Sequence, residues 1–300
     1  MTAVALERRT DLGGARITFG GVLRSEWIKF RSLRSTWFSL LAAFVIVDGL
    51  GTLFAALHAH RMTSGNQRFV IFGFDATQVS LRGVFLAQLA VGVLGVLTIT
   101  GEYSTGMIRA SLAAVPRRYP VLLAKAIVFA VPVFVVSLAA TFTGFLLGQW
   151  AQASTHHQAS LSTPGAERAI AGSAAYLTLI GVIGIGLGFI VRSTAGAIAT
   201  LFGIVLVAPL LAQALPTPYD ADVSKYLPLN FGQRIIQTLD PEPNRLGPWV
   251  GIGVLAGYTV VLLAVGAAML ANRDASLRTR LEAFRARQTE AARAMTKELR

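Results

Sequence analysis

The sequence contains no cysteine and few charged residues, and both absences narrow the classes of protein that it can be. Without cysteine there is no disulfide framework, no thiolate nucleophile and no cysteine metal site. Charged residues make up 14% of the 300 residues, whereas a soluble domain typically carries about 25%. Hydrophobic residues make up 54%, and the mean hydropathy is +0.59. This composition excludes a soluble globular protein and indicates an integral membrane protein.

The sequence also lacks the glycine-rich loop with which many ATPases bind phosphate, which ends in Gly-Lys-Ser or Gly-Lys-Thr. No lysine follows a glycine: the four pairs are Ile28-Lys29, Ala124-Lys125, Ser224-Lys225 and Thr296-Lys297. The chain is therefore predicted not to be an enzyme and to bind no ATP or other cofactor of its own. All four histidines fall in predicted external loops without a carboxylate cluster, so no metal site is predicted.

Six runs nearly free of charge are each long enough to cross a bilayer core, which needs roughly 20 apolar residues. In lipid the backbone of such a run must satisfy its own hydrogen bonds, so each run is predicted to be a helix. The fold class is therefore all-α, an integral membrane protein with six transmembrane helices. The predicted spans are Trp37–Leu57, Gly83–Thr100, Ala126–Leu147, Ala169–Val191, Ala195–Leu215 and Pro248–Leu270.

The distribution of positive charge predicts which side of the membrane each loop occupies. An even number of spans puts both termini on one side, and that side holds 20 of the 27 lysines and arginines. Because lysine and arginine are enriched in cytoplasmic loops, both termini are predicted to be cytoplasmic. The same rule explains the net charge of +12 without any binding of nucleic acid. The high alanine, glycine and arginine content is compatible with a high-GC bacterial source, and we predict a bacterial plasma membrane as the location.

Two amphipathic segments are predicted to flank the transmembrane domain of residues 37–270. In the N-terminal segment, residues 1–36, five apolar residues recur at helical spacing and indicate a helix lying on the inner membrane surface. They are Phe19, Leu23, Trp27, Phe30 and Leu33. The alternative is a basic flank that only stops transfer. Residues 271–300 are predicted to form a second amphipathic cytoplasmic helix, with a coiled-coil partner as the alternative. The external stretch of about 216–247 is a re-entrant or interfacial hairpin, or a plain surface loop.

Polar and small residues inside the predicted spans are further candidates for function. Asp48 lies near the middle of the first span, where an ionised carboxylate is costly and is a functional candidate by default. A hydrogen-bonded contact between helices is the equally weighted alternative. Gly184 and Gly188 are predicted to allow close helix packing, and Gly253 and Gly257 permit the same kind of contact.

The predicted cytoplasmic loop of about 101–118 carries the most specific pattern. Its segments Gly101-Glu102-Tyr103, Gly106, Met107-Ile108-Arg109 and Ala113-Ala114-Val115-Pro116-Arg117-Arg118 resemble the second-to-third-span loop of type-2 ATP-binding-cassette (ABC) permeases. Upstream, Glu26, Lys29, Arg31, Arg34, Ser35, Thr36 and Trp37 are similar to the entry into the first span of bacterial members. Arg273-Asp274-Ala275 resembles that family's ending.

The resemblance implies the membrane subunit of an exporter, paired with a second copy or a paralogue. It further implies two separate cytoplasmic ATPase subunits, which bind ATP and magnesium and contact the permease at two places. The coupling residues carried over to the loop are Glu102, Tyr103, Gly106, Met107, Ile108 and Arg109. Those carried over to the interfacial helix are Glu26, Trp27, Lys29, Phe30 and Arg31.

A glutamate at the exit of a span needs a partner, and we expect Glu102 to pair with Arg24, Lys29 or Arg31. The change Glu102→Gln is then expected to uncouple transport without preventing membrane insertion. The Glu26 side chain is expected either to bond to Lys29 or to contact the loop after the second span, and the sequence does not distinguish the two. Two rival functions are an ion-gradient-driven secondary transporter, which places ionisable residues near the midplane, and a non-transporting membrane scaffold or immunity protein.

Overall fold

The computed structural model describes residues 18–63, 75–107, 119–156, 158–217, 219–239 and 246–269. Across these ranges the chain is helical and contains no strand. Six of the described helices are long and apolar enough to cross a membrane. The described chain is thus an all-α, multi-pass membrane protein. The helix predicted for residues 271–300 lies outside the described ranges.

The helices are numbered in chain order. The first half comprises α1 (Phe19–Ser32), α2 (Arg34–Thr63), α3 (Ala76–Ser80), α4 (Val84–Ser104) and α5 (Tyr119–Ala151). The second half comprises α6 (Ala166–Val191), α7 (Thr194–Ala212), α8 (Tyr219–Ser224), α9 (Pro228–Ile236) and α10 (Pro248–Met269). The six spans are α2, α4, α5, α6, α7 and α10.

Helix α6 lies at the centre of the bundle. In its most apolar stretch 78% of residues are buried, against 28% in α2 and in α7. Its glycines explain this position, because a Cβ at Gly184 would overlap the carbonyl oxygen of Gly92, and one at Gly188 would overlap Ile99. Small residues at these points let α4 and α6 approach closely. Gly253 and Gly257 differ, since a Cβ at either one would meet no described atom within 4 Å.

Helix α1 packs on α5 at one end of the bundle, which we term the α1 end. Thr18 caps the helix by accepting a hydrogen bond from the backbone N–H of Gly21 at 3.2 Å, which satisfies an otherwise free donor. The buried face consists of Val22, Glu26 and Phe30, spaced four residues apart. This spacing puts the three side chains on one side of the helix.

At the opposite end, termed the α9 end, the chain between α7 and α10 returns into the bundle. Ile235 of α9 packs at Gly172, and Gly232 packs at Tyr176. The hydroxyl of Tyr258 donates to the carbonyl of Tyr226 at 3.2 Å. Because Tyr258 lies ten residues into α10, this contact is about 15 Å along that helix. Helix α9 therefore packs against α6 and, through Phe231 at Gly251, against α10.

Candidate functional site

Four charged side chains from three helices meet at the α1 end, and we term them the charge network. Glu26 and Lys29 come from α1, Glu102 from the last turn of α4, and Lys125 from the first turns of α5. Glu26, Glu102 and Lys125 are nearly fully buried, with 3%, 5% and 3% of their surface exposed. Lys29 is half-buried at the edge.

Lys125 and Lys29 each bridge both glutamates. The Lys125 Nζ lies 2.6 Å from Glu26 Oε2 and 2.8 Å from Glu102 Oε1. The Lys29 Nζ lies 2.7 Å from Glu26 Oε1 and 3.2 Å from Glu102 Oε1. The two positive and two negative charges alternate and cancel. Such pairing is what permits charges to remain buried, because an isolated buried charge is strongly destabilising.

The network changes the pKa values of the two residues on α1. Burial alone pushes the pKa of Glu26 upward, but the charges and hydrogen bonds of Lys125 and Lys29 outweigh it and lower the pKa below its usual value. Burial likewise pushes the pKa of Lys29 downward, and the bonds and charges of Glu26 and Glu102 outweigh it and raise the pKa. Both groups are therefore ionised at neutral pH.

The structure selects among the partners considered for the two glutamates. Of the three basic residues weighed for Glu102, Lys29 is the one that contacts it. Glu26 bonds Lys29 and also approaches the end of α4, because Lys125 bridges Glu26 and Glu102. Glu26 therefore both pairs with Lys29 and lies close to the end of the second span.

Lys125, the central cation, was not identified from the sequence as a site residue. It lies just before the predicted span Ala126–Leu147, and in the structure α5 begins earlier, at Tyr119, and carries Lys125 as a buried residue. The ammonium of Lys125 can be buried because two carboxylates neutralise it. An available signal was the single lysine within the apolar run Val121–Ala126, following a glutamate at the end of the preceding span.

The remaining loop residues mark where α4 ends. Gly106 has a φ of +72°, a left-handed conformation that glycine adopts without strain and that often follows a helix. Met107 is exposed. The Arg192 guanidinium lies 5.3 Å from the centre of the Tyr103 ring, which links the end of α4 to the junction of α6 and α7. Ile108 and Arg109 lie outside the described residues.

The other residues assigned to the interfacial helix have separate environments. Phe30 is buried with its ring edge-on to that of Phe129, at 6.2 Å between centres. Trp27 stacks beside Phe30 and is 41% exposed. Arg31 is exposed, and its carbonyl accepts a hydrogen bond from Trp37 Nε1 at 3.2 Å. This bond fastens the end of α1 to the beginning of α2.

Asp48 lies apart from the charge network, near the middle of α2. The Thr143 hydroxyl of α5 is 3.0 Å from both of its carboxylate oxygens. Asp48 therefore makes a hydrogen-bonded contact between helices, the alternative weighed from sequence. Within the described ranges it has no salt-bridge partner, and no three histidines or acidic residues there lie close enough to share a metal ion.

The arrangement can transmit a displacement between separate parts of the chain. Glu102 precedes the loop between α4 and α5, and Lys125 follows it, so their 2.8 Å contact closes the base of that loop. The same two residues bind α1 through Glu26 and Lys29. A force on the loop would therefore reach α1 and both adjoining spans together, as a rigid-body movement.

Comparison with protein families gives one match over most of the described spans. The model of a family described as "ABC-2 family transporter protein" matches residues 22–207. This range includes the whole charge network, the first four spans and part of α7. No curated protein matches the chain.

Proposed function

Because the chain belongs to the ABC-2 family of transporter proteins, an ABC-type permease family, we propose that it is the permease subunit of an ABC exporter driven by separate ATPase subunits. The observation that carries this proposal is the charge network, which joins α1 to both ends of the α4–α5 loop. Three buried charges and one half-buried charge at the base of one loop exceed what a plain connector between spans needs.

In this proposal the ATPase subunits bind ATP and magnesium, and the permease binds neither. The loop after α4 and the exposed side of α1 contact an ATPase subunit. When ATP closes the ATPases, the loop moves, and the network carries that movement to α1, α4 and α5. The residues that transmit the movement are Glu26, Lys29, Glu102 and Lys125, while Tyr103, Gly106, Met107, Ile108 and Arg109 lead to or form the contact.

The proposed orientation puts the α1 end in the cytoplasm and the α9 end outside the plasma membrane of a bacterium. The excess of lysine and arginine on the α1 side supports it. A second copy or a paralogue completes the permease, and the substrate passes between the two subunits. The exposed apolar faces of α2 and α7 support this assembly, since they are the least buried spans described.

Asp48 is the observation that favours the rival function, an ion-gradient-driven transporter. Among the described spans it is the only charged side chain near a span's middle. A proton or sodium relay normally uses several such groups. Asp48 has a single hydroxyl as its described partner, so the ABC permease is favoured.

Affinity purification of the tagged chain from native membranes in mild detergent tests the proposal. We expect to recover a Walker-motif ATPase whose ATP hydrolysis depends on the presence of this chain. Recovery of the chain without an ATPase, from a preparation in which known membrane complexes remain intact, would contradict the proposal. Proton-dependent transport without ATP would favour the gradient-driven alternative.

A further inference from the structure

A groove of about 540 Å³ lies beside the charge network, between α1, the beginning of α2, the second half of α4 and α5. Its volume falls in the range of about 300–1,000 Å³ that small-molecule sites occupy. Apolar side chains of α1, α4, α5 and the junction between α1 and α2 form its walls. They are Phe30, Leu33, Leu94, Leu97 and Val128. The groove is therefore suited to a molecule with a hydrocarbon part.

The charged side of the groove contains one carboxylate oxygen without a donor among the described residues. Glu102 lines the groove and is 95% buried. Its Oε1 atom accepts hydrogen bonds from Lys29 and Lys125. Its Oε2 atom is buried and accepts no hydrogen bond from the described residues. A buried carboxylate oxygen without a donor is unfavourable, so this atom favours a ligand that brings an N–H group.

A second part of the groove favours negative charge. Ser35 and Thr36, in the first turn of the 30-residue helix α2, line it. That turn contains no acidic residue, and the beginning of a helix attracts anions through its dipole, although the Thr36 N–H is itself donated to the Leu33 carbonyl at 3.1 Å. The Lys29 ammonium lines the same groove. The groove thus offers an anion-favouring region and a carboxylate acceptor together.

We propose that this groove binds a phospholipid whose head group carries both a phosphate and a primary amine. The ammonium donates a hydrogen bond to Glu102 Oε2, the phosphate lies at the beginning of α2 near Lys29, and an acyl chain lies along the apolar walls. The position agrees with this ligand, because α1 is an amphipathic helix at the ends of the spans, where lipid head groups lie. The inference needs the membrane-spanning fold but not an ATPase partner.

The primary amine is the discriminating group. A choline head group has the same phosphate and positive charge but no N–H, so it cannot donate to Glu102 Oε2. A glycerol head group retains the phosphate and lacks the positive charge. Since a hydrogen bond between charged groups is roughly twice as strong as a neutral one, we expect the ethanolamine lipid to bind about tenfold more tightly than either.

Equilibrium binding of radiolabelled lysophosphatidylethanolamine, lysophosphatidylcholine and lysophosphatidylglycerol to the purified full-length chain tests the proposal. Leu97→Trp fills the groove without touching the charge network. It is expected to weaken ethanolamine-lipid binding about tenfold. The matched control is Leu86→Trp, at a similarly exposed residue of α4 that does not line the groove, and it is expected to bind like the wild type. The change Glu102→Gln is expected to abolish the preference for the ethanolamine lipid.

Three results would overturn the proposal: equal binding of the three lipids, unchanged binding by Leu97→Trp, or an equal loss in Leu86→Trp. Each of these results is obtained with the purified chain in the absence of any ATPase. Absence of an ATPase from the purification described above leaves this measurement intact, so failure of the lipid site and failure of the permease function are distinguishable.

Discussion

The two ends of the bundle each contain a buried carboxylate centre, but the partners differ. At the α1 end, Glu26 and Glu102 are bridged by lysine ammonium groups. At the α9 end, the carboxylate of Asp75 accepts hydrogen bonds from the backbone N–H groups of Thr238 and Leu239, at 2.6 and 3.2 Å. It also accepts from the Thr238 hydroxyl and from the N–H of Gln78, both at 2.9 Å.

This difference suggests that the helices at the α1 end can shift relative to one another, whereas those at the α9 end are held in place. The attraction between charges falls slowly with distance, so the two lysines can shift between the two glutamates while pairing continues. Hydrogen bonds to backbone N–H groups weaken steeply when their geometry changes. Asp75 therefore fixes the chain after α9 to the beginning of α3. We infer that displacement is transmitted at the α1 end and resisted at the α9 end.

The largest expected effect comes from removing the central cation with Lys125→Met. The change leaves Glu26 and Glu102 buried without their shared partner, which is expected to lower the free energy of unfolding by about 3–5 kcal/mol. Denaturant unfolding of the purified chain in detergent measures it. The control, Lys225→Met, removes an exposed ion pair with Asp222 and is expected to leave stability unchanged. Equal losses in both variants would contradict a buried network.

The next largest effect is expected at the α9 end from Asp75→Asn. The amide retains one acceptor oxygen and turns an NH₂ group toward donors, so the free energy of unfolding is expected to fall by about 1–3 kcal/mol. Hydrogen exchange of the Thr238 and Leu239 amides reports the change locally, with faster exchange in the variant. Unchanged exchange at both amides would show that Asp75 does not fasten this segment.

A smaller, pH-dependent effect is expected from Glu26→Gln. Because the pKa of Glu26 is lowered in the folded chain, its stabilisation is fully present above the ordinary carboxyl pKa of about 4.3. It is lost as the pH falls through the lowered value. Melting temperatures of wild type and variant should therefore differ at pH 7 and converge as the pH falls below about 4. A difference that is constant with pH would contradict ionic pairing of Glu26.

The sequence predicts the spans well because the signal is local. Each span is a continuous apolar run, and each of the six predicted runs overlaps a described helix that is apolar enough to cross a membrane, with ends that agree to within three residues where the helix is shorter. The partners of Glu102 needed tertiary information, since Lys29 is 73 residues away. Asp75 was not recognised as a binding centre, because its partner Thr238 is 163 residues distant and no motif connects them.

The position of Lys125 shows where reasoning from hydropathy fails. A lone lysine beside an apolar run resembles a span boundary, because an unpaired charge inside lipid is costly. Here the carboxylates of Glu26 and Glu102 neutralise it, so Lys125 can be buried within α5, which begins at Tyr119. Composition alone does not distinguish a lysine at a boundary from a lysine paired inside the bundle.

The most direct test of the central claim measures ATP hydrolysis by the proposed permease–ATPase complex, purified with either Glu102→Gln or Asp75→Asn in the permease. The charge network is expected to transmit the movement of the α4–α5 loop. The Glu102→Gln variant should therefore assemble normally, but its permease-dependent rate of ATP hydrolysis should fall about tenfold. Asp75→Asn should assemble and retain that hydrolysis. Wild-type hydrolysis in Glu102→Gln, or an equal loss in Asp75→Asn, would contradict transmission through the α1 end.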